Sequence, residues 1–261
     1  PTVAQAPVEL GTRTQRSRPL SARGTGSRNR GIEMRKLIGL SLTTAIGLTA
    51  FAVAPVVAMD HEGDQYFYGD TTITMDDTVK GNVTVKNGDL TVYGTIEGNV
   101  IERGYGSVFV MGGVIKGNVK ERRDGSVEVH DYGTIEGNVY ERGDGHVRVI
   151  SGYIKGNVVE RHSGWVDVFD YGMVEGNISE RGRDSVTVKD GGAVKGNIYE
   201  KRSGDVTITG YDTIVEGNVK ERNAGSVYVT DDAYVEGDVC EKGRGMVEVS
   251  SGGMVEGDLY C

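Results

Sequence analysis

One short phrase recurs through most of this 261-residue chain, and it limits the fold more than any other feature of the sequence. It reads "GTIEGNVYERGDG" from Gly133, and close copies start at Gly94 and Gly172. The glycine of its Gly-Asn or Gly-Asp pair stands at positions 81, 98, 117, 137, 156, 176, 196, 217, 237 and 257. A unit of roughly 20 residues cannot bury its own apolar side chains, so it buries them against its neighbours in a stack. The sequence therefore predicts about ten stacked units.

Within each unit, apolar residues alternate with other residues, which is typical of strands. Short alternations stand at 127–129 ("VEV") and 147–149 ("VRV"), and a second kind of strand passes through the Gly-Asn pair between Ile135 and Val139. Large core residues are scarce, with 4 Phe and 1 Trp, whereas Val and Ile favour strands. The glycine-rich turns between the strands leave no room for a helix. We therefore expect about four inward-facing aliphatic residues in each unit.

The charges favour one of two possible strand arrangements. In a β-solenoid each unit forms one coil, and equivalent residues of neighbouring coils lie about 4.8 Å apart. In an antiparallel meander, equivalent residues lie two strands apart and hardly touch. The residue before the repeat glycine alternates in sign, as expected if opposite charges meet on adjacent strands: Lys80, Glu97, Lys116, Glu136, Lys155, Glu175, Lys195 and Glu216. We predict an all-β fold, a parallel β-solenoid (β-helix) formed by one chain, with about ten coils of about 20 residues and the usual right-handed sense.

The asparagine after each repeat glycine predicts a second ladder. Stacked in register, these amides would hydrogen-bond to one another along the axis. The predicted Asn ladder consists of Asn82, Asn99, Asn118, Asn138, Asn157, Asn177, Asn197 and Asn218. The alternative is a row of asparagines that binds a ligand. Asn82 and Asn177 also match the glycosylation motif, but the ladder explains them more simply.

A third set of equivalent positions is less favourable to stacking, because it carries only glutamate. It comprises Glu102, Glu121, Glu141, Glu160, Glu180, Glu200, Glu221 and Glu241. In a solenoid these residues form a like-charged column, which should repel. Each is followed by a basic residue, namely Arg103, Arg122, Arg142, Arg161, Arg181, Lys201, Arg222 and Lys242. We expect this parallel basic column to offset the repulsion.

The residues before the repeats indicate export. A basic start, an apolar run and a small-residue end before Met59 predict a Sec-type signal peptide over 34–58, with a membrane anchor as the alternative. Residues 1–33 are expected to be a disordered or mis-assigned N-terminal extension. We assign 59–72 to an N-terminal cap and 73–261 to the β-solenoid repeat domain.

The balance of charge excludes some partners. Residues 59–261 hold 21 Lys and Arg against 36 Asp and Glu, a net charge of −15. Such a surface is expected to repel nucleic acid and anionic lipid, and signal cleavage would leave no stable membrane anchor. The expected location is the periplasm, the cell surface or the extracellular space.

The two cysteines fit that location. Cys240 and Cys261 occupy nearly equivalent places in the last two units. Export leads to an oxidising space, so we predict a disulfide that clamps the C-terminal coil. Two free thiols and a bridge between subunits are the alternatives.

The repeat resembles that of a known family. The pattern G-x-[VI]-x-G-[ND]-[VI], as in "GTIEGNV", "GMVEGNI", "GAVKGNI" and "AYVEGDV", is similar to the repeats of bactofilins over roughly residues 73–261. The resemblance implies a right-handed β-helix that assembles end to end without nucleotide. Bactofilins are cytoplasmic and have shorter coils, whereas this chain carries an export signal. The chain resembles curli-type secreted amyloid subunits more weakly, because their Gln-rich columns are missing.

The sequence offers no catalytic pattern. The four histidines fall at different places in the repeat, and no Ser-His-Asp spacing or Cys-His metal motif occurs. We therefore expect no catalytic residues, no cofactor, no metal and no enzyme activity, although solenoids do host polysaccharide lyases. The predicted function is that of a secreted structural, filament-forming protein that associates with itself end to end.

The alternative function is an extracellular adhesin or carbohydrate-binding β-helix. Its contacts with a cell-surface polymer would come from aromatic residues on the outer face, namely Tyr140, Tyr199, Tyr260 and Trp165.

Overall fold

The computed structural model describes residues 60–259 and 261, and the described residues form 31 short strands and no helix. The first ten strands are β1 Asp60–His61, β2 Gln65–Tyr68, β3 Thr71–Ile73, β4 Thr78–Val79, β5 Val83–Lys86, β6 Leu90–Val92, β7 Thr95–Ile96, β8 Val100–Glu102, β9 Val108–Met111 and β10 Val114–Ile115. The next ten are β11 Val119–Lys120, β12 Val127–His130, β13 Thr134–Ile135, β14 Val139–Tyr140, β15 Val147–Ile150, β16 Tyr153–Ile154, β17 Val158–Val159, β18 Val166–Phe169, β19 Met173–Val174 and β20 Ile178–Glu180. The remaining strands are β21 Val186–Lys189, β22 Ala193–Val194, β23 Ile198–Glu200, β24 Val206–Thr209, β25 Ile214–Val215, β26 Val219–Glu221, β27 Val227–Thr230, β28 Tyr234–Val235, β29 Val239–Glu241, β30 Val247–Val249 and β31 Met254–Val255.

Every third strand joins the same sheet, so three parallel sheets run along the described chain. They contain 11, 10 and 10 strands and begin at β1, β2 and β3. Within each sheet the equivalent residues of successive repeats pair, as Val127 does with Val147 and Val147 with Val166. The predicted parallel β-solenoid of about ten coils is therefore confirmed, and the antiparallel meander is excluded. The right-handed sense stays a prediction.

The core is a stack of aliphatic side chains inside the three sheets. A typical coil contributes Val127, Val129, Ile135 and Val139, and all four are fully buried. This matches the expected four inward residues per coil. Each buried Val or Ile stabilises the fold by about 1.5–3 kcal/mol, so the stack supplies most of the favourable free energy.

The repeat glycine is required because neighbouring backbones approach each other closely. A Cβ atom placed on Gly137 would collide with the carbonyl oxygen of Gly117 in the preceding coil. At another corner of the coil, positive φ values are adopted by Asp131 (51°) and Tyr132 (63°) rather than by glycine. The repeat glycine is therefore needed for the close approach of neighbouring coils, whereas other residues adopt the left-handed backbone conformation of the turn.

The solenoid starts before the predicted boundary at residue 73. Strands β1 and β2 and most of β3 lie in the segment 59–72 and pair with β4, β5 and β6 of the next coil. This segment is therefore the first coil of the solenoid and not a structure separate from it. The predicted extension (1–33) and signal peptide (34–58) lie outside the described residues. Among residues 60–259 and 261, no helix is long and apolar enough to cross a membrane.

Candidate functional site

The asparagines of the predicted ladder bond directly to one another. The Oδ1 atom of Asn118 accepts hydrogen bonds from Nδ2 of Asn138 at 3.0 Å and from its backbone N–H at 2.9 Å. The same pair of bonds links each of the eight asparagines to the next. Because the Oδ1 of every asparagine from Asn82 to Asn197 already accepts two bonds, this row holds the stack together and offers few free acceptors to a ligand.

The predicted Lys/Glu ladder is arranged as separate pairs. Each lysine contacts the glutamate of the preceding coil, as Lys116 Nζ does with Glu97 Oε1 at 2.8 Å and Lys155 Nζ with Glu136 Oε1 at 2.8 Å. Within the described chain, no ion pair joins a ladder lysine to the following glutamate, because each ammonium group leans toward one carboxylate only. The close contacts of the ladder are therefore discrete pairs, while lysine and glutamate still alternate along it. These pairs are well exposed, so solvent screens them and they contribute little to stability.

The column of glutamates lies inside the solenoid, which corrects the expectation of a charged column balanced by its basic neighbours. Seven members are fully buried, and Glu241 is partly exposed. Each carboxylate accepts the backbone N–H two residues later, as Glu141 Oε1 does from Gly143 at 2.7 Å. The glutamates therefore close the turn from within, while the arginines that follow them point outward.

Burial changes the protonation of this column. Burial first, and then the adjacent glutamates, raise the pKa of Glu141 and of Glu180 to about 10. The pKa values of Glu102 and Glu221 rise to about 7, mainly through burial. A protonated member can donate its O–H to the carboxylate of the neighbouring coil, which relieves the repulsion that the sequence predicts. At neutral pH, Glu141 and Glu180 therefore carry no charge.

A cleft on the second sheet brings together two of the predicted aromatic residues. The outward residues Tyr140, Val159, Ser179 and Tyr199 lie side by side in successive coils of β14, β17, β20 and β23. The two tyrosines stand three coils apart, about 14 Å, and the smaller residues between them form the floor. The resulting cleft measures about 270 Å³ and is also lined by Arg181 and Lys201.

The cleft combines apolar, hydroxyl and cationic groups. Lys201 Nζ lies 5.8 Å from the ring centre of Tyr199, and Arg181 Nε donates a hydrogen bond to Ser179 Oγ at 3.3 Å. Tyrosine offers an apolar ring face and a polar hydroxyl in one side chain. This arrangement suits a ligand with flat apolar faces and polar edges. We call these six residues, Tyr140, Val159, Ser179, Arg181, Tyr199 and Lys201, the tyrosine cleft.

The other two predicted aromatic residues do not join this cleft. Trp165 is 43% exposed and stacks on His146 beside the third sheet, with ring centres 4.5 Å apart. Tyr260 lies outside the described residues. The predicted aromatic set is therefore split, and only Tyr140 and Tyr199 share a site.

A polar cluster surrounds Glu128, and the sequence did not predict it. Its carboxylate contacts His130 Nε2 at 2.8 Å and His146 Nε2 at 3.2 Å. Burial favours the neutral acid, but hydrogen bonds from the two histidines outweigh it and lower the pKa of Glu128. The repeat period could have indicated this cluster. It aligns Arg148 with Glu128, and His146, two residues before Arg148, therefore lies on the coil next to Glu128.

This cluster has limited chemical scope. His146 Nδ1 lies 3.0 Å from Ser126 Oγ, but Ser126 is only 8% exposed and also accepts the backbone N–H of His146. A substrate would therefore reach this hydroxyl only with difficulty. No group of three or more His, Cys, Asp or Glu residues able to hold a metal ion occurs in the part of the chain that the structure describes.

The cysteines meet at the C-terminal end of the described chain. Cys240 and Cys261 form a disulfide with their Cα atoms 5.2 Å apart. The bond connects β29 to the residue one coil later. It therefore closes the last coil onto the one before it.

Comparison with known proteins gives little further information. No protein-family model and no curated protein matches the chain. A crystal structure of a hyper-glycosylated TibA fragment, glycosylated by TibC, matches at 14% identity with a TM-score of 0.37, covering 77% of this chain and 94% of that chain. A similarity this distant carries no argument about function. The resemblance to bactofilin and curli-type repeats stays a hypothesis.

Proposed function

We propose that this protein is an exported, non-catalytic structural β-solenoid that associates with itself end to end. The observation that carries the proposal is the exposed end of the stack. In the last described coil, Val249 and Met254 are 36% and 56% exposed. Their partners one coil earlier, Val229 and Tyr234, are better covered, and Val229 is fully buried.

The last described coil presents the surface that internal coils use to bind each other. Val249, Met254, Val255 and Leu259 lie around an open cleft of about 480 Å³ at this end. A coil of a second copy placed there would continue the three sheets and the aliphatic stack. The acidic residues at this end, including Glu256, oppose such stacking because they repel the acidic surface of a second copy. We therefore expect association to strengthen with salt.

Electron microscopy and analytical ultracentrifugation of the purified protein test this proposal. We expect assemblies that lengthen with protein concentration. The variant Val249→Lys should abolish them, because it places a charge in the contact. The matched control Ser250→Lys adds the same charge on an outward position and should assemble normally. Only monomers across salt and calcium conditions would refute end-to-end association.

Export and the absence of catalysis are parts of the same proposal. The signal-like segment 34–58 supports secretion, and the disulfide between Cys240 and Cys261 suits an oxidising compartment. Fractionation of cells that produce the full chain checks the export. We expect the protein in the periplasm, on the surface or in the medium, with residues 1–58 removed.

A second candidate function is binding of a carbohydrate polymer, and the tyrosine cleft favours it. Two tyrosines about 14 Å apart, with small residues between them, leave room for sugar rings to lie against their faces. A glycan array with the wild type tests this function. The double variant Tyr140→Ala, Tyr199→Ala should lose any binding. The control Tyr93→Ala, Tyr211→Ala removes exposed tyrosines elsewhere and should keep it.

A further inference from the structure

The corner of the solenoid beside the tyrosine cleft carries a continuous row of positive charge. Period-two alternation buries the column glutamate and turns the next residue outward in each coil. The row consists of Arg103, Arg122, Arg142, Arg161, Arg181, Lys201, Arg222 and Lys242, of which all but the half-buried Lys201 are exposed. We call these eight residues the basic stripe. Arg123, Arg183, Arg202 and Arg244 add further positive charge in the adjoining turns.

Among the residues that the structure describes, no carboxylate forms an ion pair with the basic stripe. All ion pairs of the described chain lie elsewhere, on the Lys/Glu ladder, around Glu128 and at Lys189. The glutamate that precedes each stripe residue is turned inward, and its carboxylate binds the backbone. The few acidic residues of this corner, such as Asp124 and Asp144, stand in the turns. The corner therefore keeps a strong positive charge on a chain that is acidic overall.

The charges of the stripe act on one another. Burial first, and then the positive charges of Arg181 and Arg222 in the adjacent coils, lower the pKa of Lys201. Like charges held about 4.8 Å apart along a stack repel. A bound chain of negative groups would remove this repulsion at several positions at once.

Clefts lie along the stripe. One of about 230 Å³ is lined by Arg161, Arg181, Arg183 and Arg202. Another of about 350 Å³ lies between Arg122, Arg142 and the ring of Tyr105, and it is also lined by Asp124 and Asp144. The tyrosine cleft shares Arg181 and Lys201 with the stripe. Cationic groups and aromatic faces therefore follow one another along the same edge.

From this arrangement we propose that the basic stripe and the tyrosine cleft together bind a linear anionic polysaccharide. The inference rests on the second candidate function and adds the charge of the polymer. The stripe provides one row of cations at a regular interval, which suits an extended chain with one acidic group per sugar or per few sugars. Tyr140 and Tyr199 provide faces for sugar rings, and Arg181 and Lys201 provide the cations beside them.

A single-stranded nucleic acid is the competing polyanion. Proteins that bind it stack successive bases on a series of aromatic side chains. The cleft instead offers two tyrosines separated by Val159 and Ser179, with no aromatic platform between them. This spacing favours a saccharide chain over a stack of bases.

Binding measurements on the full chain test the proposal with three immobilised probes: polygalacturonate, neutral dextran and oligo-dT. We expect polygalacturonate to bind best and to be released by salt. The triple variant Arg142→Gln, Arg161→Gln, Arg181→Gln should bind it about tenfold more weakly. The matched triple Lys116→Gln, Lys155→Gln, Lys195→Gln removes the same charge from the Lys/Glu ladder and should change affinity less than about twofold.

Arginine footprinting on the wild type supplies a test that needs no variant. Polygalacturonate should protect Arg142, Arg161 and Arg181 from phenylglyoxal, but not Arg148, which lies on the third sheet. If the arginine and lysine triple variants lost affinity equally, or if Arg148 were protected equally, the basic stripe would not be the binding site. Equal binding of dextran would overturn the charge preference and leave carbohydrate binding intact. Tighter binding of oligo-dT would overturn the saccharide assignment, and no binding to any glycan would remove both proposals.

Discussion

The amide of Asn138 and its own backbone N–H both donate to the side-chain oxygen of Asn118 in the preceding coil, at 3.0 and 2.9 Å. The side-chain oxygen of Asn138 accepts the same two bonds from Asn157. One side chain therefore satisfies polar groups in two neighbouring coils. Because both the oxygen and the amide group of the side chain are used, asparagine is the usual residue after the repeat glycine, and aspartate replaces it at the ends of the row.

We predict that Asn138→Ala destabilises the solenoid by about 1–3 kcal/mol, because it leaves the backbone N–H of Asn157 without its acceptor. The lower midpoint of urea unfolding, followed by circular dichroism, measures this. Glu136→Gln in the same coil is the control, since Glu136 and its partner Lys155 are exposed and their solvent-screened contact should shift the midpoint little. Equal midpoints for the two variants would contradict a structural role for the ladder.

The repeat spacing and the alternation of charge were enough to predict the stacking of coils. Both features depend only on which residues recur at equivalent positions, so the sequence contains them directly. The arrangement of the charges in pairs could not be predicted in this way. It depends on the rotamer of Lys116, whose ammonium group contacts Glu97 and not Glu136. The sequence alone does not determine side-chain rotamers.

The burial of the glutamate column could have been predicted but was not. Val139, Tyr140 and Glu141 follow the same alternation, so Glu141 has to face inward with Val139. The general rarity of buried carboxylates argues against reading the pattern in this way. The cluster of His130 and His146 around Glu128 is harder to predict, because it depends on ring orientations as well as on register.

Close stacking at the repeat glycine gives a second prediction. Gly137→Ala should lower the free energy of unfolding by about 1–3 kcal/mol or more, because the new methyl group meets the backbone of Gly117 and both coils must shift. Thermal unfolding measures the loss. Ser203→Ala, at an exposed turn position, should leave the melting temperature nearly unchanged. A tolerated Gly137→Ala would show that neighbouring coils are less tightly packed than the structure indicates.

The disulfide gives a third prediction, which is local. Replacing both Cys240 and Cys261 with Ser should increase hydrogen exchange in β29 to β31, because the last coil then has no covalent tie to the one before it. Closing a loop of this length contributes about 3 kcal/mol. Strands β12 and β15, in the middle of the stack, should exchange as in the wild type. A uniform increase along the whole solenoid would show that the bond stabilises more than the end.

The glutamate column gives a prediction for pH dependence. The pKa values of Glu141 and Glu180 are raised from 4.5 to about 10 in the folded protein, mainly through burial. Between these two values the folded state keeps protons that the unfolded state has lost, so the free energy of unfolding falls as pH rises. Glu102 and Glu221, with pKa values of about 7, contribute the same effect over the lower part of that range. The melting temperature should therefore be higher at mildly acidic pH than at alkaline pH.

The double variant Glu141→Gln, Glu180→Gln isolates this effect, because glutamine stays neutral and still accepts the bond from the backbone. Its melting temperature should depend less on pH and exceed that of the wild type at alkaline pH. The matched double Glu136→Gln, Glu175→Gln acts on exposed glutamates. Hydrogen bonds, chiefly from Lys155 to Glu136 and from Tyr153 to Glu175, lower the pKa values of these two residues. Replacing them should leave the fall of the melting temperature at alkaline pH unchanged. If that fall persisted in the Glu141→Gln, Glu180→Gln variant instead, its origin would lie outside the glutamate column.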